Sequence, residues 1–229
     1  MLFIGNNWYR CSGTITVNTG ATTGIIISMA DGAGATTYAG NGFDGIFIWG
    51  AQLEALPFST SYIPTTSAQV TRAQDSALMT GTNFSSWWNY QQGTMFIDIA
   101  SSSTTSGKFI GAYAYGADLS SFYAISNNDN TYEQIYTTGF VSRFNTNQGT
   151  ANPPTKIALS YNVNTTTAIS TSNGATPSTS TTVASFPTPT QLFIGWNQVF
   201  NQCGVGRIKK FAFYPIQFTS AQNQSLTGS

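Results

Sequence analysis

Residues 83–100, NFSSWWNYQQGTMFIDIA, place two tryptophans and a tyrosine directly before a segment that alternates in hydrophobicity. Met95, Ile97 and Ile99 share one face of an extended segment and Asp98 lies on the other, since successive side chains of a strand point to opposite faces. The segment is therefore predicted to be a half-buried β-strand. The aromatic residues before it have two interpretations. They cover the open end of a β-sandwich, which is favoured, or they form a platform on which sugar rings stack.

Trp87 and Trp88 are adjacent, so in an extended backbone one ring points inward and the other is more exposed. The rest of the chain repeats the strand pattern. Short runs with a period of two, rich in Ile, Val, Thr, Phe and Tyr, alternate with clusters of Gly, Asn, Ser and Thr, which is typical of an all-β protein. The predicted strands are Tyr9–Val17, Thr23–Met29, Gly45–Leu53, Ala77–Thr80, Thr94–Ser101, Lys108–Tyr115, Ser121–Ser126, Thr131–Thr137, Lys156–Tyr161, Thr166–Thr171, Gln191–Trp196 and Gly206–Tyr214.

Three further segments have local signals. The Asn-Gly pair in residues 172–175 predicts a tight hairpin turn, because both residues tolerate positive φ. Residues 175–190, rich in Thr, Ser and Pro, predict a long surface loop. The C-terminal TSAQNQSL predicts one short helix capped by Thr219 or Ser220.

The composition limits the function classes. Of 229 residues, 41% are hydrophobic, which is enough for a sizeable core, but only 7% are charged. Lys plus Arg and Asp plus Glu number eight each, so the net charge is zero. Nucleic-acid binding is not expected, because neutralising phosphates needs clustered Lys and Arg. A zero net charge also favours association of the protein.

The chain contains no histidine, which removes the usual general base and the commonest transition-metal ligand. Its two cysteines, Cys11 and Cys203, form no metal-binding or redox motif. A long-range bridge between them and two buried free thiols are both compatible with the sequence, and the thiols are favoured. No apolar run is long enough for a membrane helix, and the N-terminus does not have the pattern of a signal peptide.

The chain is predicted to have two parts joined by a linker. Residues 1–55 contain three predicted strands, too few to close a sandwich. Residues 56–70 form the linker, in which Pro57 and Pro64 disfavour a continuing strand. Residues 71–229 contain enough strands for a complete β-sandwich.

Four motifs carry a resemblance to a known family. FIWGAQLE (47–54), TSYIPTTSAQVTRA (60–73), NFSSWWNYQQGT (83–94) and the C-terminal GRIKKFAFYP with its short helix resemble the corresponding motifs of bacteriophage virion proteins. In that family a carbohydrate-binding-module-like jelly roll is followed by a concanavalin A-like (laminin G-like) jelly roll. The resemblance implies an all-β fold, with a partial (half) jelly-roll segment at 1–55 and a concanavalin A-like jelly-roll β-sandwich at 71–229.

The resemblance departs from the family at the N-terminus. A first module of this kind has more strands, most of them before the position of Trp8. Either the module is shortened or another chain supplies the missing strands. Because half a sandwich exposes sheet edges and an apolar face, residues 1–55 are expected to be covered by the second domain, by a further copy of the chain or by a virion partner.

No catalytic residue is predicted, and the protein is not expected to be an enzyme. Glycoside hydrolysis needs two carboxylates within roughly 5–10 Å, and the chain has only eight carboxylates, with no E-x-D-x-x-E type run. Asp98 is a single strand carboxylate, for which an outer-face position is expected. Serine and cysteine triads are excluded because they need histidine.

Two kinds of binding site are candidates. The loop SNNDNTYE, with Asp129 and Glu133, is the best candidate for calcium, but an Asn/Asp turn explains it without an ion and is favoured. No cofactor or metal is therefore assigned. Tyr113, Tyr115 and Trp196, which stand beside polar residues, are the candidate glycan-binding aromatics, but packing in the core or rim explains them as well and is favoured.

Together, these features predict a non-enzymatic structural protein of the bacteriophage virion surface: a capsid decoration, head fibre or tail-associated adhesion protein with weak glycan binding. The alternatives are a free carbohydrate-binding module and, less favoured, a polysaccharide-degrading enzyme. The expected partners are other virion proteins, further copies of the chain as a homo-oligomer, and host-surface glycans. Neither nucleic-acid binding nor membrane insertion is expected, and the expected location is the virion, assembled in the host cytoplasm.

Overall fold

The computed structural model describes the chain in two compact units, Met1–Arg72 and Ala73–Ser229. The residues that it describes are 1–229 apart from 19, 21–23, 38, 56–57, 72–74, 76, 103–109, 118–119, 127–130, 138–140, 148–154, 198–201 and 204–205.

The first unit contains one antiparallel hairpin, formed by β1 (Leu2–Gly5) and β2 (Trp8–Arg10). Asn6 and Asn7 form its turn with φ of 49° and 62°, a conformation that Asn adopts more readily than most residues. The Arg10 guanidinium donates to the carbonyl of Thr60 at 2.9 Å. This contact joins the hairpin to the segment that was predicted to be the linker.

The strands predicted in residues 1–55 are wrong over most of their length. Thr23–Met29 and Gly45–Leu53 contain no strand among their described residues, and Tyr9–Val17 is a strand only at its first two positions. The physical reason is pairing: a strand needs a neighbour for its N–H and C=O groups and a surface on which to bury one face. None of the described residues of Met1–Arg72 is buried.

Cys11 belongs to this first unit and is an exposed free thiol. The predicted burial of Cys11 is therefore wrong. The side chain of Cys203 lies outside the described residues.

The second unit is a β-sandwich. Its sheets have the strand orders β11-β10-β9-β4-β15 and β3-β12-β5-β6-β7-β8, and neighbouring strands are antiparallel. A separate pair, β13 and β14, forms a small ladder. The elements are β3 (Ala77–Thr80), α1 (Thr82–Ser85), β4 (Gln92–Ser102), β5 (Ile110–Tyr115), β6 (Ser121–Ser126), β7 (Thr131–Thr137), β8 (Val141–Asn147), β9 (Thr155–Asn162), β10 (Thr167–Ser172), β11 (Ser178–Ser180), β12 (Gln191–Ile194), β13 (Trp196–Asn197), β14 (Gln202–Cys203), β15 (Gly206–Tyr214) and α2 (Ser220–Gly228).

Every strand predicted in the second unit is present. Residues 191–196 are divided between β12 and β13 at Gly195, whose φ is 85°. Strand β8 was not predicted, because its sequence VSRFNTN does not alternate clearly in hydrophobicity. Phe144 is its one large buried residue, and polar residues flank it. The predicted loop 175–190 contains the short strand β11, and Val183 within it is buried.

The core lies between the two sheets, and strand alternation determines which side chains enter it. Met95, Ile97 and Ile99 of β4 are fully buried, as predicted, and belong to one hydrophobic cluster. Full burial of each such side chain stabilises the fold by about 1.5–3 kcal/mol. From the six-stranded sheet the cluster includes Ile110, Ala112, Ala114, Phe122, Ala124, Ile135, Phe144 and Leu192.

Trp88 closes one end of this core, which confirms the structural interpretation of the opening segment. It is 5% exposed, and its ring centroid lies 4.5 Å from that of Phe213 and 5.7 Å from that of Phe122. These two rings come from opposite sheets. The backbone before Trp88 is not extended as expected: α1 forms one helical turn, and Phe84 O accepts hydrogen bonds from the N–H groups of both Trp87 and Trp88.

Trp87 is the more exposed of the pair. It is half-buried, and its ring lies edge-on to Phe84 and Phe213 at 5.2 and 5.3 Å. Its indole N–H donates to the carbonyl of Asn83 at 2.7 Å. One tryptophan thus fills the core and the other borders the surface.

The C-terminal helix α2 begins at Ser220 and is capped by Thr219, one of the two predicted caps. Thr219 Oγ1 accepts from the Gln222 N–H at 3.3 Å, and the Thr219 N–H donates to Gln222 Oε1 at 2.8 Å, which is a capping box. Asn223 of this helix accepts from Ser160 Oγ of β9 at 2.9 Å. No helix in the described part of the chain is long and apolar enough to cross a membrane.

The tight turn predicted at residues 172–175 is also confirmed. Asn173 and Gly174 have φ of 47° and 71°, and the Ala175 N–H donates to the carbonyl of Ser172 at 2.9 Å. Gly174 is further required by space, because a Cβ there would lie 3.0 Å from the Cα of Gly228 in α2.

The two tryptophans are expected to respond differently to truncation. Trp88→Ala removes a core ring and should lower the free energy of unfolding by about 3–5 kcal/mol, as large core aromatics do. Trp87→Ala should cost clearly less, because its ring is already partly in solvent. Denaturant unfolding of both variants measures this, and equal losses would contradict the assignment of Trp88 as the core residue.

Candidate functional site

The first candidate site comprises Tyr113, Tyr115 and Trp196. Tyr113 and Tyr115 lie on the face of β5 opposite to its core residues, but both side chains are fully buried. Their ring centroids are 6.2 Å apart, and the Tyr115 ring lies edge-on to the ring of Phe193 in β12 at 5.8 Å. Packing, which the sequence favours, is therefore confirmed for both, and their glycan-binding assignment is wrong. They offer no free face for a sugar. Trp196 is in β13, its side chain lies outside the described residues, and its glycan-binding role stays a prediction.

The second candidate is the calcium loop. Asp129 lies outside the described residues, whereas Glu133 is placed within β7 and points between the sheets. Glu133 is fully buried, and burial raises its pKa to about 7, although the nearby hydroxyls of Thr146 and Thr131 oppose the rise. A carboxyl in this position faces the sandwich interior and not the preceding loop. Within the described ranges, no three His, Cys, Asp or Glu side chains are grouped to hold a metal ion.

Asp98 has the outer-face position that the sequence predicts. It alternates with the buried side chains of β4, and in the ladder it lies opposite Lys156 of β9 and Lys210 of β15. Two lysines in register with one carboxylate suit a structural role on a strand surface.

An open groove on the second unit offers a different candidate site. It has a volume of about 570 Å³ and lies between β3 and β15, which are edge strands of the two different sheets. The turn that follows α1 contributes its remaining wall. The lining residues are Met79, Ser86, Trp87, Phe211, Ala212, Phe213 and Pro215.

The groove is apolar and uncharged. Trp87, Phe211 and Phe213 are each half-buried, so each ring divides its surface between core and groove. Among the lining residues that the structure describes, Ser86 is the one with a hydroxyl group, and none carries a charge. Such a surface suits the apolar face of a ligand that also carries hydroxyl groups.

Only one wall of this groove could be predicted from the sequence. Adjacent tryptophans predict that one ring is left near the surface, and that ring is Trp87. The other walls come from residues far along the chain, and only the pairing of β15 with β4 and of β3 with β12 places them beside Trp87.

Comparison with solved structures supports the fold. The carbohydrate-binding domain CBM40 of the Ruminococcus gnavus IT-sialidase, bound to α2,3-sialyllactose, is similar with a TM-score of 0.52 and 13% identity, over 64% of this chain and 88% of that one. The leech intramolecular trans-sialidase, complexed with 2,7-anhydro-Neu5Ac, is similar with a TM-score of 0.51 and 12% identity, over 69% of this chain and 27% of that one. No protein-family model and no curated protein matches the sequence. The fold is thus an all-β jelly-roll sandwich.

Calcium removal is expected to have little effect. Because Glu133 points into the sandwich, it is not available as a calcium ligand in the loop before β7, where it was one of two candidate carboxylates. We expect EDTA to leave the melting temperature unchanged in differential scanning fluorimetry. A large drop that calcium, but not magnesium, restores would contradict this.

Proposed function

We propose that the second unit is a carbohydrate-binding module whose ligand occupies the groove beside Trp87. The observation that carries the proposal is a half-buried tryptophan in an open, uncharged groove, on a fold shared with domains whose names describe sugar binding. The indole and the two phenylalanine rings provide an apolar wall for the C–H face of a sugar. Ser86 and the edge-strand backbones provide hydrogen-bonding groups for its hydroxyls.

The class of sugar follows from the lack of charged side chains among the described lining residues of the groove. A sialic acid carries a carboxylate, which proteins bind best through arginine, and the described residues that line the groove include no cation. The groove therefore suits a neutral sugar, and sialic acid does not transfer from the structural neighbours to this chain.

Binding in this proposal is not followed by hydrolysis. The chain has no histidine, and Asp98 lies in register with Lys156 and Lys210. Asp98 is the single carboxylate of β4, and glycoside hydrolysis needs a pair of them.

Glycan titration tests the groove. We expect lactose to bind the wild type in NMR or calorimetric titration, and Trp87→Ala to abolish that binding. Tyr90→Ala is the matched control, because Tyr90 is an exposed aromatic outside the groove. Binding of sialyllactose alone would contradict the neutral-sugar assignment, and unchanged binding by Trp87→Ala would contradict the site.

We further propose that the chain acts as a subunit of a larger particle, with residues 1–55 as its attachment segment. The observation that favours this is the exposure of large hydrophobic side chains in a unit without any buried described residue. Ile26, Phe43 and Phe47 are each more than 90% exposed. The other exposed large hydrophobics within residues 1–55 are Met1, Leu2, Phe3, Ile4, Trp8, Tyr9, Ile15, Val17, Ile25, Ile27, Ile46, Ile48, Trp49 and Leu53.

Isolated surface leucines and phenylalanines are normal, but a dense set of them indicates an interaction site. Residues 1–55 carry only four charged side chains, at Arg10, Asp31, Asp44 and Glu54, so a partner surface would be apolar. The motifs resemble those of bacteriophage virion proteins, and on this proposal the particle is a virion, with its other proteins or further copies of this chain as partners.

Association can be measured on the full chain. We expect mass photometry to find oligomers, and Ile26→Asp with Phe47→Asp to dissociate them, because two buried charges oppose an apolar interface. Val141→Asp is the control, because Val141 is an exposed apolar residue of the second unit. If the wild type is monomeric and binds no virion protein, the attachment proposal is wrong, while the glycan result stands independently.

A further inference from the structure

A strip of polar side chains crosses the interior of the sandwich near β7 and β8. Thr131, Glu133 and Thr146 belong to the six-stranded sheet, and Ser170 and Ser172 to the five-stranded sheet. Thr131 Oγ1 donates to Ser172 Oγ at 3.0 Å, and Thr146 Oγ1 lies 2.8 Å from Ser170 Oγ. These hydrogen bonds connect the two sheets directly, beside the hydrophobic core cluster.

Glu133 is the one ionisable member of this strip. Its Oε2 accepts from Thr146 Oγ1 at 2.7 Å. Because the Thr146 hydroxyl hydrogen is donated to Glu133, the Ser170 hydroxyl must donate to Thr146 Oγ1. The hydrogen bonds therefore run from Ser170 to Thr146 and from Thr146 to Glu133. Glu133 Oε1 is buried and has no hydrogen-bond partner among the described residues. An ionised carboxyl would leave charge on that oxygen without compensation, which is costly in an interior.

No cation among the described residues compensates Glu133. The neighbouring strand β6 places Ala124 opposite it. Lys156 of β9 lies between two inward residues and therefore points to the other face of its sheet. Arg143 of β8 is exposed, and its Nε donates to Thr137 Oγ1 at 3.0 Å. On β10 the strip presents only hydroxyls.

We propose that Glu133 is a proton-dependent latch between the two sheets. In its neutral form the carboxyl accepts from Thr146 at no cost in charge, and the strip holds β7 and β8 against β10. On ionisation, the buried charge destabilises this end of the sandwich, so its stability decreases as the pH rises.

The direction of this pH dependence follows from the difference between the pKa of Glu133 in the folded and in the unfolded chain. The pKa of Glu133 is about 7 in the folded protein, against 4.5 for an ordinary glutamate. The stabilisation is fully present below the lower value and is lost as the pH rises through the higher one. Because the chain has no histidine, no other side chain of ordinary pKa titrates between about pH 5 and pH 7.5.

Thermal unfolding of the full chain tests the latch. Between about pH 5 and pH 7.5 the unfolding equilibrium constant of the wild type should rise by a factor on the order of 50, which is a drop in melting temperature of about 5–10 °C for a unit of this size. Glu133→Gln has nearly the same shape, stays neutral and should remove this pH dependence. Glu54→Gln, a carboxyl of the first unit, is the matched control and should keep it.

Two further measurements separate a latch from a merely structural side chain. Thr146→Val removes the donor to the carboxylate and should move the midpoint of the pH profile upward. Infrared spectra at about pH 6 should contain the carbonyl band of a protonated carboxylic acid in the wild type, since ordinary carboxyls are ionised there. A flat wild-type profile, an unchanged slope in Glu133→Gln, or the absence of that band would overturn the proposal.

Discussion

The packing of Trp88 against rings from both sheets is the interaction on which the second unit depends. Phe213 comes from β15 and Tyr161 from β9 of one sheet, and Phe122 comes from β6 of the other. A ring that contacts all three fixes the distance between the sheets at this end. It also fixes α1, which immediately precedes it, and therefore positions Trp87 on the groove.

The same ring cluster limits its neighbours. A Cβ at Gly93 would lie 2.6 Å from Phe213 Cζ and 3.0 Å from Tyr161 Cε1, so no other residue fits there without displacing a ring. The Tyr161 hydroxyl donates to the carbonyl of Asn89, which ties the segment between Trp88 and β4 to the core. The groove thus rests on a rigid floor, which is what a binding surface needs if little entropy is to be lost on binding.

Strand alternation predicts most strands of the second unit, but not β8 or β11, and it fails for most of the first unit. The pattern of Met95, Ile97 and Ile99 predicts an inward face correctly because neighbours exist to pair with that strand. Gly45–Leu53 has an equally apolar pattern, but the pattern contains no information on whether a partner strand is present. For the same reason, alternation places Tyr113 and Tyr115 on one face of β5 without telling whether that face is covered.

The order of strands in the five-stranded sheet has a consequence for how the chain folds during synthesis. Strand β4 pairs with β9 on one side and with β15 on the other, and Thr94 lies opposite Tyr214, near the end of the chain. A nascent chain must therefore keep one edge of β4 unpaired until β15 has been synthesised. Contacts between residues this distant in sequence slow folding and prolong the time during which an unpaired, aggregation-prone strand edge is exposed. We therefore expect the folding yield in the cell to depend on translation speed and on chaperones more than the final stability of the sandwich would suggest.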